Sequence, residues 1–259
     1  MSIDHYAGTE ARWATDASRV YGPIALELLE LGPPSWSGRF VLDAGAGTGV
    51  ASEALLARKA TVVAADLSFD MLSWRRARRP PSTVADVCRL PIASSAVDGT
   101  VAAFVLNHLR EPDVGLAELM RVTRSGGFLL ANVFSAESRS AVRDRVDELA
   151  RQAGWRVPDW YAAMKTEIVP LLGGAKRMED TALRAGLLDT RVEERDVDVG
   201  LVEPHHLVDY RFGQAQFTDW LSSLGSGREA DLRDDVAEAI RPVMEPYRPT
   251  VVFLAARVP

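Results

Sequence analysis

The sequence predicts an α/β protein whose mostly parallel sheet is covered by helices on both faces. Three observations predict it. Short apolar runs alternate with helical stretches five times before residue 135. The runs are continuously apolar, as strands buried on both sides require, rather than alternating apolar and polar. The first of them enters a glycine-rich turn that opens a helix, which is the strand–turn–helix grammar of α/β folds.

In chain order, residues 10–21 and 23–31 read as two helices, the second stopped at Gly32-Pro33-Pro34. Residues 40–43 form the first strand and 51–57 the helix after the glycine turn. Residues 61–66 form the second strand, with a helix near 69–76 behind it. Residues 83–87 and 99–106 supply the third and fourth strands; the latter is rich in β-branched residues. Residues 114–122 place Leu116, Leu119, Met120 and Val122 on or near one helical face. Ser125-Gly126-Gly127 turns the chain into a fifth strand at 128–134. Beyond Ser135 the rhythm changes. Residues 137–153 read as a charged amphipathic helix, and 154–172 carry Trp155, Trp160, Tyr161 and Met164. A short helix at 179–185, a strand with one wetter face at 190–199, helices at 205–224 and 229–245, and an apolar strand at 251–257 complete the chain.

Composition bounds the function. Lys and Arg number 30 against 36 Asp and Glu, for a net charge of −6, so duplex DNA binding would need a concentrated basic face. One cysteine, Cys88, excludes an intrachain disulfide and a four-cysteine zinc site, and four histidines make a histidine metal cluster a poor expectation. No apolar run approaches the roughly 20 residues of a membrane span. The start, Met1-Ser2-Ile3-Asp4-His5, lacks the basic and apolar regions of a secretory signal. A cytoplasmic protein with no metal, no membrane partner and no nucleic-acid partner is expected.

The chemistry concentrates at strand ends. Asp43, Gly45, Gly47 and Gly49 read D-x-G-x-G-x-G. Val50 departs from the dinucleotide fingerprint, and the phosphate loop with its lysine is absent. Asp43 would repel a pyrophosphate but suits a ligand carrying an ammonium group. Asp66, at the end of the second strand, follows Gly45 at about the 20-residue spacing of a carboxylate that grips ribose hydroxyls. Asp86 closes the third strand, where it can accept from an adenine amine while Val87 packs on the ring. Asn107 closes the fourth.

These blocks (DAGAGTG at 43–49, VVAADLSFDML at 62–72, VADVCRLPIASSAVDGTVAAFVLNHL at 84–109 and LAELMRVTRSGGFLLANVF at 116–134) together resemble the class I S-adenosylmethionine-dependent methyltransferases. The resemblance is to the small-molecule branch that includes the ubiquinone/menaquinone C-methyltransferases. It is close over about residues 35–135 and looser at 182–197 and 247–258. Ser125 stands where the family usually has proline. The resemblance implies a Rossmann-like seven-stranded sheet with an antiparallel last strand and helical substrate-binding insertions. It implies S-adenosylmethionine (SAM) as cofactor. Asp43, Ala44, Gly45, Ala46, Gly47, Thr48 and Gly49 would hold its methionine moiety. Asp66 would take the ribose, Leu67 and Met71 would lie near the adenine with Asp86 and Val87, and Asn107 would lie beside the sulfonium. Four regions are expected: an N-terminal helical lid (1–38), the cofactor-binding core (39–134), a helical cap (135–180), and the rest of the sheet (181–259) with a helical insertion at 203–245.

No spacing marks a catalytic base. His108, Glu137, His205 and His206 are the candidates, with a loop cap as the other reading of His108 and a wet helix start as that of the histidine pair. Tyr6, Trp160, Tyr161, Tyr210 and Arg211 are candidate contacts to a small organic acceptor. Lys165, Arg177 and Arg211 suit an anionic acceptor or plain solvation. The basic run Arg75-Arg76-Ala77-Arg78-Arg79 reads as a helix end balanced by the helix dipole. The expected function is methyl transfer to a small acceptor in secondary-metabolite, isoprenoid or quinone-like biosynthesis. A SAM-binding cyclase and a nucleic-acid methyltransferase are the alternatives, and a homodimer is compatible with the chain.

Overall fold

A computed structural model describes residues 4–259. Its centre is a seven-stranded sheet in the order β3 (Ser82–Val84), β2 (Thr61–Asp66), β1 (Phe40–Ala44), β4 (Val97–Ala103), β5 (Thr123–Phe134), β7 (Thr250–Arg257), β6 (Leu188–Asp196). β3, β2, β1, β4 and β5 run parallel, and β7 inserts antiparallel between β5 and β6. The order reverses at β1, which pairs with both β2 and β4. Connections leave β1 and β4 in opposite directions there, which opens a crevice at the carboxyl ends of the strands.

Successive residues of β1 feed opposite cores, because side chains alternate across a strand. Val41 joins Val62, Val101 and Leu130 beneath Val20, Ile24 and Leu28 of α1 (Ser18–Glu30) and Leu55 of α2 (Val50–Ala57). Leu42 joins Ala102, Leu129 and Leu254 beneath Leu116 and Leu119 of α3 (Pro112–Val122). Burial on both sides explains why the sequence runs of these strands lack alternation.

The boundaries differ from the sequence reading at informative places. The two N-terminal helices are one: Glu10–Arg12, a π-helical turn Trp13–Ala17 and Ser18–Glu30 run on without a break. Pro23 sits inside α1. An interior proline costs about 3 kcal/mol, which full burial of Val20, Ile24, Leu28 and Leu29 outweighs. The helix expected from residue 137 starts only at α4 (Ala141–Gln152). Before it, Ser135 Oγ accepts the Glu137 N–H, the Ala136 N–H goes to the Gly173 carbonyl, and Ser140 caps the helix through the Arg143 N–H. β3 ends at Val84, so Asp86 lies in a turn where it accepts the Cys88 N–H at 2.9 Å.

Ion pairs tie the N-terminal helix to α5 (Pro204–Phe212) and α6 (Ser226–Ile240). Arg12 donates to both oxygens of Glu229. Arg233 meets Glu229 at 3.0 Å, Asp209 at 2.9 Å and Asp16 at 3.3 Å. No helix among the described residues is long and apolar enough to cross a membrane.

Candidate active site

A cavity of about 1090 Å³ opens over the crevice. One end is the glycine turn. Gly45 has φ +69°, and a Cβ there would lie 2.4 Å from Val105 Cβ at the end of β4. Only glycine lets these two strand ends approach so closely. Gly49 has φ +101°, caps α2, and has the Arg79 guanidinium packed against it. We expect Gly45→Ala to lower both the melting temperature and the affinity for SAM. Left-handed backbone alone costs a non-glycine residue about 1–2 kcal/mol, before Val105 has to move. Thermal melts with and without SAM check this.

Asp43 closes β1 fully buried. Ser52 Oγ donates to its Oδ2 at 2.5 Å, and its Oδ1 has no partner. Burial pushes its carboxyl up to about 6, against the opposing pull of Ser52 and Arg79. Asp66 accepts the Gly47 N–H at 2.7 Å and the Ser68 N–H at 2.8 Å, so it clasps the glycine turn. Burial raises its carboxyl as well, and those two N–H groups lower it. Arg79 donates to the carbonyls of Gly47 at 2.7 Å and Met71 at 3.0 Å. Its Nε and Nη2 are buried without partners, and desolvation lowers its basicity against the pull of Asp43 and Asp66.

β4 ends in a strained step. Phe104 takes φ +58°, held by its N–H to the Asn132 carbonyl and side-chain oxygen. The chain then makes a 3-10 turn, Leu106–His108, that brings Asn107 and His108 to the cavity. Asn107 Oδ1 is a buried acceptor without a partner. The Tyr6 hydroxyl lies 3.3 Å from His108 Nε2, with the two rings edge to face at 5.5 Å. Burial drives the His108 imidazolium down to about 4, helped by nearby His5, and raises the Tyr6 phenol well above its ordinary value. A phenol that stays protonated donates, so the neutral imidazole accepts at Nε2.

Behind this pair Tyr21, Phe104 and Phe134 form a wall, Tyr21 meeting Phe104 edge to face at 4.9 Å and Phe104 meeting Phe134 at 4.6 Å with the rings tilted by 35°. His5 stacks on Trp160 at 4.6 Å, and both rings line the cavity. Both π-helical turns, Trp13–Ala17 and Met164–Ile168, contribute lining residues, as such turns often do at functional sites.

Of the residues expected from sequence, Asp43, Gly45, Ala46, Gly47, Thr48, Asp66, Leu67, Met71, Asp86, Val87 and Asn107 all line the cavity. So do His108, Tyr6, Trp160, Tyr161, Tyr210 and Arg211. Ala44 and Gly49 lie behind the lining, where they shape the turn. The structure does not bring Glu137, His205 or His206 to the cavity. Glu137 turns to solvent beside Arg139, because its own N–H is held by Ser135. His205 is exposed 3.8 Å from Asp234, on the outer surface of α5. Arg177 also leaves the site and donates to the Pro170 carbonyl. Ser52 and Arg79, which hold Asp43 and the glycine turn from behind, are not singled out by the sequence reading. Arg79 does not belong to a solvated helix end: the chain reverses at Arg75, φ +48°, and returns Arg79 to the glycine turn.

The cavity end around the turn is rich in acceptors: the carboxylates of Asp43, Asp66 and Asp86 and the amide oxygen of Asn107, with the Oδ1 atoms of Asp43 and Asn107 buried and unpartnered. That donor-hungry lining fits a cationic ligand rich in N–H and O–H groups, as SAM is. The sequence comparisons agree. The family model described as "Methyltransferase domain" matches residues 42–131. A demethylmenaquinone methyltransferase of Mycobacterium sp. (strain KMS) is 33% identical over 184 residues, 70% of this chain and 78% of the relative. Among solved structures, a protein of Anabaena variabilis described as a "putative methyltransferase from antibiotic biosynthesis pathway" superposes with TM-score 0.62 at 16% identity, covering 92% of this chain and 99% of that one. Haemonchus contortus phosphoethanolamine N-methyltransferase 2, solved with phosphomonomethylethanolamine and S-adenosylhomocysteine, gives TM-score 0.61 at 18% identity over 98% of this chain and 57% of the longer one. With the sheet order, the acidic strand ends and a relative covered over most of its length, the chain belongs to the class I S-adenosylmethionine-dependent methyltransferases.

Proposed function

We propose that the protein transfers a methyl group from SAM to a small organic acceptor, aromatic, isoprenoid or quinone-like, held in the far part of the cavity. One observation carries this reading: a single cavity joins the acidic glycine turn to an aromatic chamber, with Tyr6 and His108 on its wall. A chamber of that size and lining suits a small molecule.

When bound, the cofactor supplies the methyl group on a sulfonium, so the chain needs no electrophile of its own. Asp43, oriented by Ser52, receives the ammonium group. Asp66 keeps free lone pairs beyond its two backbone donors and takes the ribose hydroxyls. Asp86 and Val87 take the adenine, and the orphaned Asn107 Oδ1 faces the sulfonium end. The Tyr6 hydroxyl, which holds the ring through Nε2 before the acceptor arrives, gives way to the acceptor's hydroxyl, whose proton His108 Nε2 takes. Residues 39–134 thus hold the cofactor, while the N-terminal segment, 135–180 and 203–245 shape the acceptor side and exclude water. The first three residues of the lid (1–38) lie outside the described residues.

The Asp43 assignment has a pH signature. An ammonium partner favours the ionised carboxylate, so below about pH 6 binding must expel a proton. SAM affinity should fall roughly tenfold between pH 7 and pH 5, and Asp43→Asn should flatten that dependence. Calorimetry across this range checks it. Without ligand the same shift works the other way on stability. The folded state keeps a proton that the unfolded chain releases above about pH 4, so stability falls as pH rises toward 6.

The functional test is S-adenosylhomocysteine release from SAM, followed by mass spectrometry over a panel of hydroxylated aromatics, quinols and prenyl compounds. Acceptor-dependent release with a mass gain of one methylene supports the reading. Turnover of a polyene without release would mean a cyclase, and release driven only by oligonucleotides would mean a nucleic-acid methyltransferase.

A further inference from the structure

The cavity is electrically polarised along its length. Toward the glycine turn and the turn after β4 its lining carries Asp4, Asp43, Asp66, Asp86 and Glu111 against Arg110, which is exposed and paired with Glu167. The far end, built by α4, the π turn Met164–Ile168 and α5, is lined by Arg143, Arg151, Lys165 and Arg211 against only Asp144 and Asp147.

The cations are unequally matched. Arg211 is buried and holds both oxygens of Asp147, at 2.9 Å and 2.7 Å, so this pair is balanced. Arg143 reaches only Asp144, its own neighbour, which is mostly exposed. Lys165 lines the cavity and, among the described residues, donates no hydrogen bond and makes no ion pair. Part of its side chain is open to water, but the protein around it and the positive neighbours Arg143, Arg211 and Arg139 lower its ammonium, opposed by Asp147. Arg139 is itself turned away to the Ala136 carbonyl and Glu137. In a chain of net charge −6, gathering unmatched cations inside one cavity costs stability by mutual repulsion. Such a cost persists where a ligand offsets it.

Resting on the methyltransferase reading, we infer that the acceptor is an anion: an apolar, ring-sized body whose carboxylate or phosphate is received between Arg143 and Lys165. The aromatic wall of Tyr21, Phe104 and Phe134 takes the ring, and the reactive atom points back toward His108. The oxyanion then supplies the counter-charge that the far end lacks. Asn107 and His108 lie near this end, because the turn that carries Lys165 packs on the turn Leu106–His108.

The test uses the full-length protein saturated with S-adenosylhomocysteine and two matched probe pairs in calorimetry. The pairs are 1-hydroxy-2-naphthoate with its primary amide, and 2-naphthyl phosphate with 2-naphthol. We expect at least one anion to bind ten times more tightly than its neutral partner, and the pair that discriminates identifies the oxyanion. Lys165→Met with Arg143→Met should abolish the preference and leave S-adenosylhomocysteine affinity within twofold. Lys165→Arg should retain it. Should the double variant misfold, Lys165→Met alone still tests the point, because this residue is exposed. Equal affinities within both pairs, no binding by either anion at millimolar concentration, or a preference that survives the variants would overturn the proposal. Loss of S-adenosylhomocysteine binding by the wild type would instead overturn the functional reading beneath it, and the proposal with it.

Discussion

Asp66→Ala should weaken SAM binding by about a hundredfold or more. Two losses combine. The first is direct: a carboxylate that accepts two ribose hydroxyls makes charge-assisted bonds, each worth about 1.5–3 kcal/mol net. The second comes from the turn itself. Asp66 Oδ2 holds the Gly47 N–H, and Oδ1 holds the Ser68 N–H that starts the next helical turn. Alanine frees both donors and loosens the loop that must be in place before the cofactor arrives. Asp66→Asn separates the two effects. An amide oxygen still accepts from Gly47, so the melting temperature should recover more than the affinity does. Calorimetry with S-adenosylhomocysteine and a thermal melt on each variant measure both. Unchanged affinity in a folded Asp66→Ala protein would remove the ribose assignment.

How legible this site was depends on whether its constraints are local. Gly45 and Gly49 are legible because left-handed backbone leaves a residue-type signature within a few positions. Asp43, Asp66 and Asn107 are legible because strand ends can be read from apolar runs, and sheet order places those ends together. Arg79 was not. A run of four arginines beside a helix end reads as solvated, and only the reversal at Arg75 turns one of them inward. Pro80 and Pro81, which force an extended approach to β3, are the one signal that could have raised the question. Ser52 offered a fainter one, a small polar residue on the buried face of α2. Glu137 misled for the opposite reason. Its position after β5 was right, but loop hydrogen bonds to Ser135 and Gly173 settle which way it faces, and no periodicity encodes them. The Tyr6–His108 contact spans 102 residues and leaves no mark in either segment. Long-range aromatic packing decides it: Tyr6 is wedged edge-on between Trp13 and His108.

That contact carries the largest expected effect on turnover. With an acceptor from the release screen, His108→Ala should lower kcat by about a hundredfold or more, the usual scale for losing a general base. Affinity for SAM should stay unchanged, since the residue lies outside the acidic end that holds the cofactor. Tyr6→Phe should cost about tenfold, because it removes the hydroxyl that orients the ring but leaves the imidazole in place. The two substitutions should be less than additive when combined, as expected of groups acting as one unit. The pH profile gives an independent check. Burial places the His108 imidazolium at about 4 in the ligand-free protein, so the neutral base is already present well below pH 6.5. An anionic acceptor beside it favours the imidazolium and raises that value. The acid limb of kcat, which reports the loaded enzyme, should therefore lie above the limb that His108 gives in the free enzyme. Protonation of Asp43 near pH 6 should appear in the affinity for SAM and be absent from kcat at saturation. An acid limb in kcat that survives His108→Ala unchanged would exclude this imidazole as the base and leave Tyr6 and His108 as wall residues of the chamber.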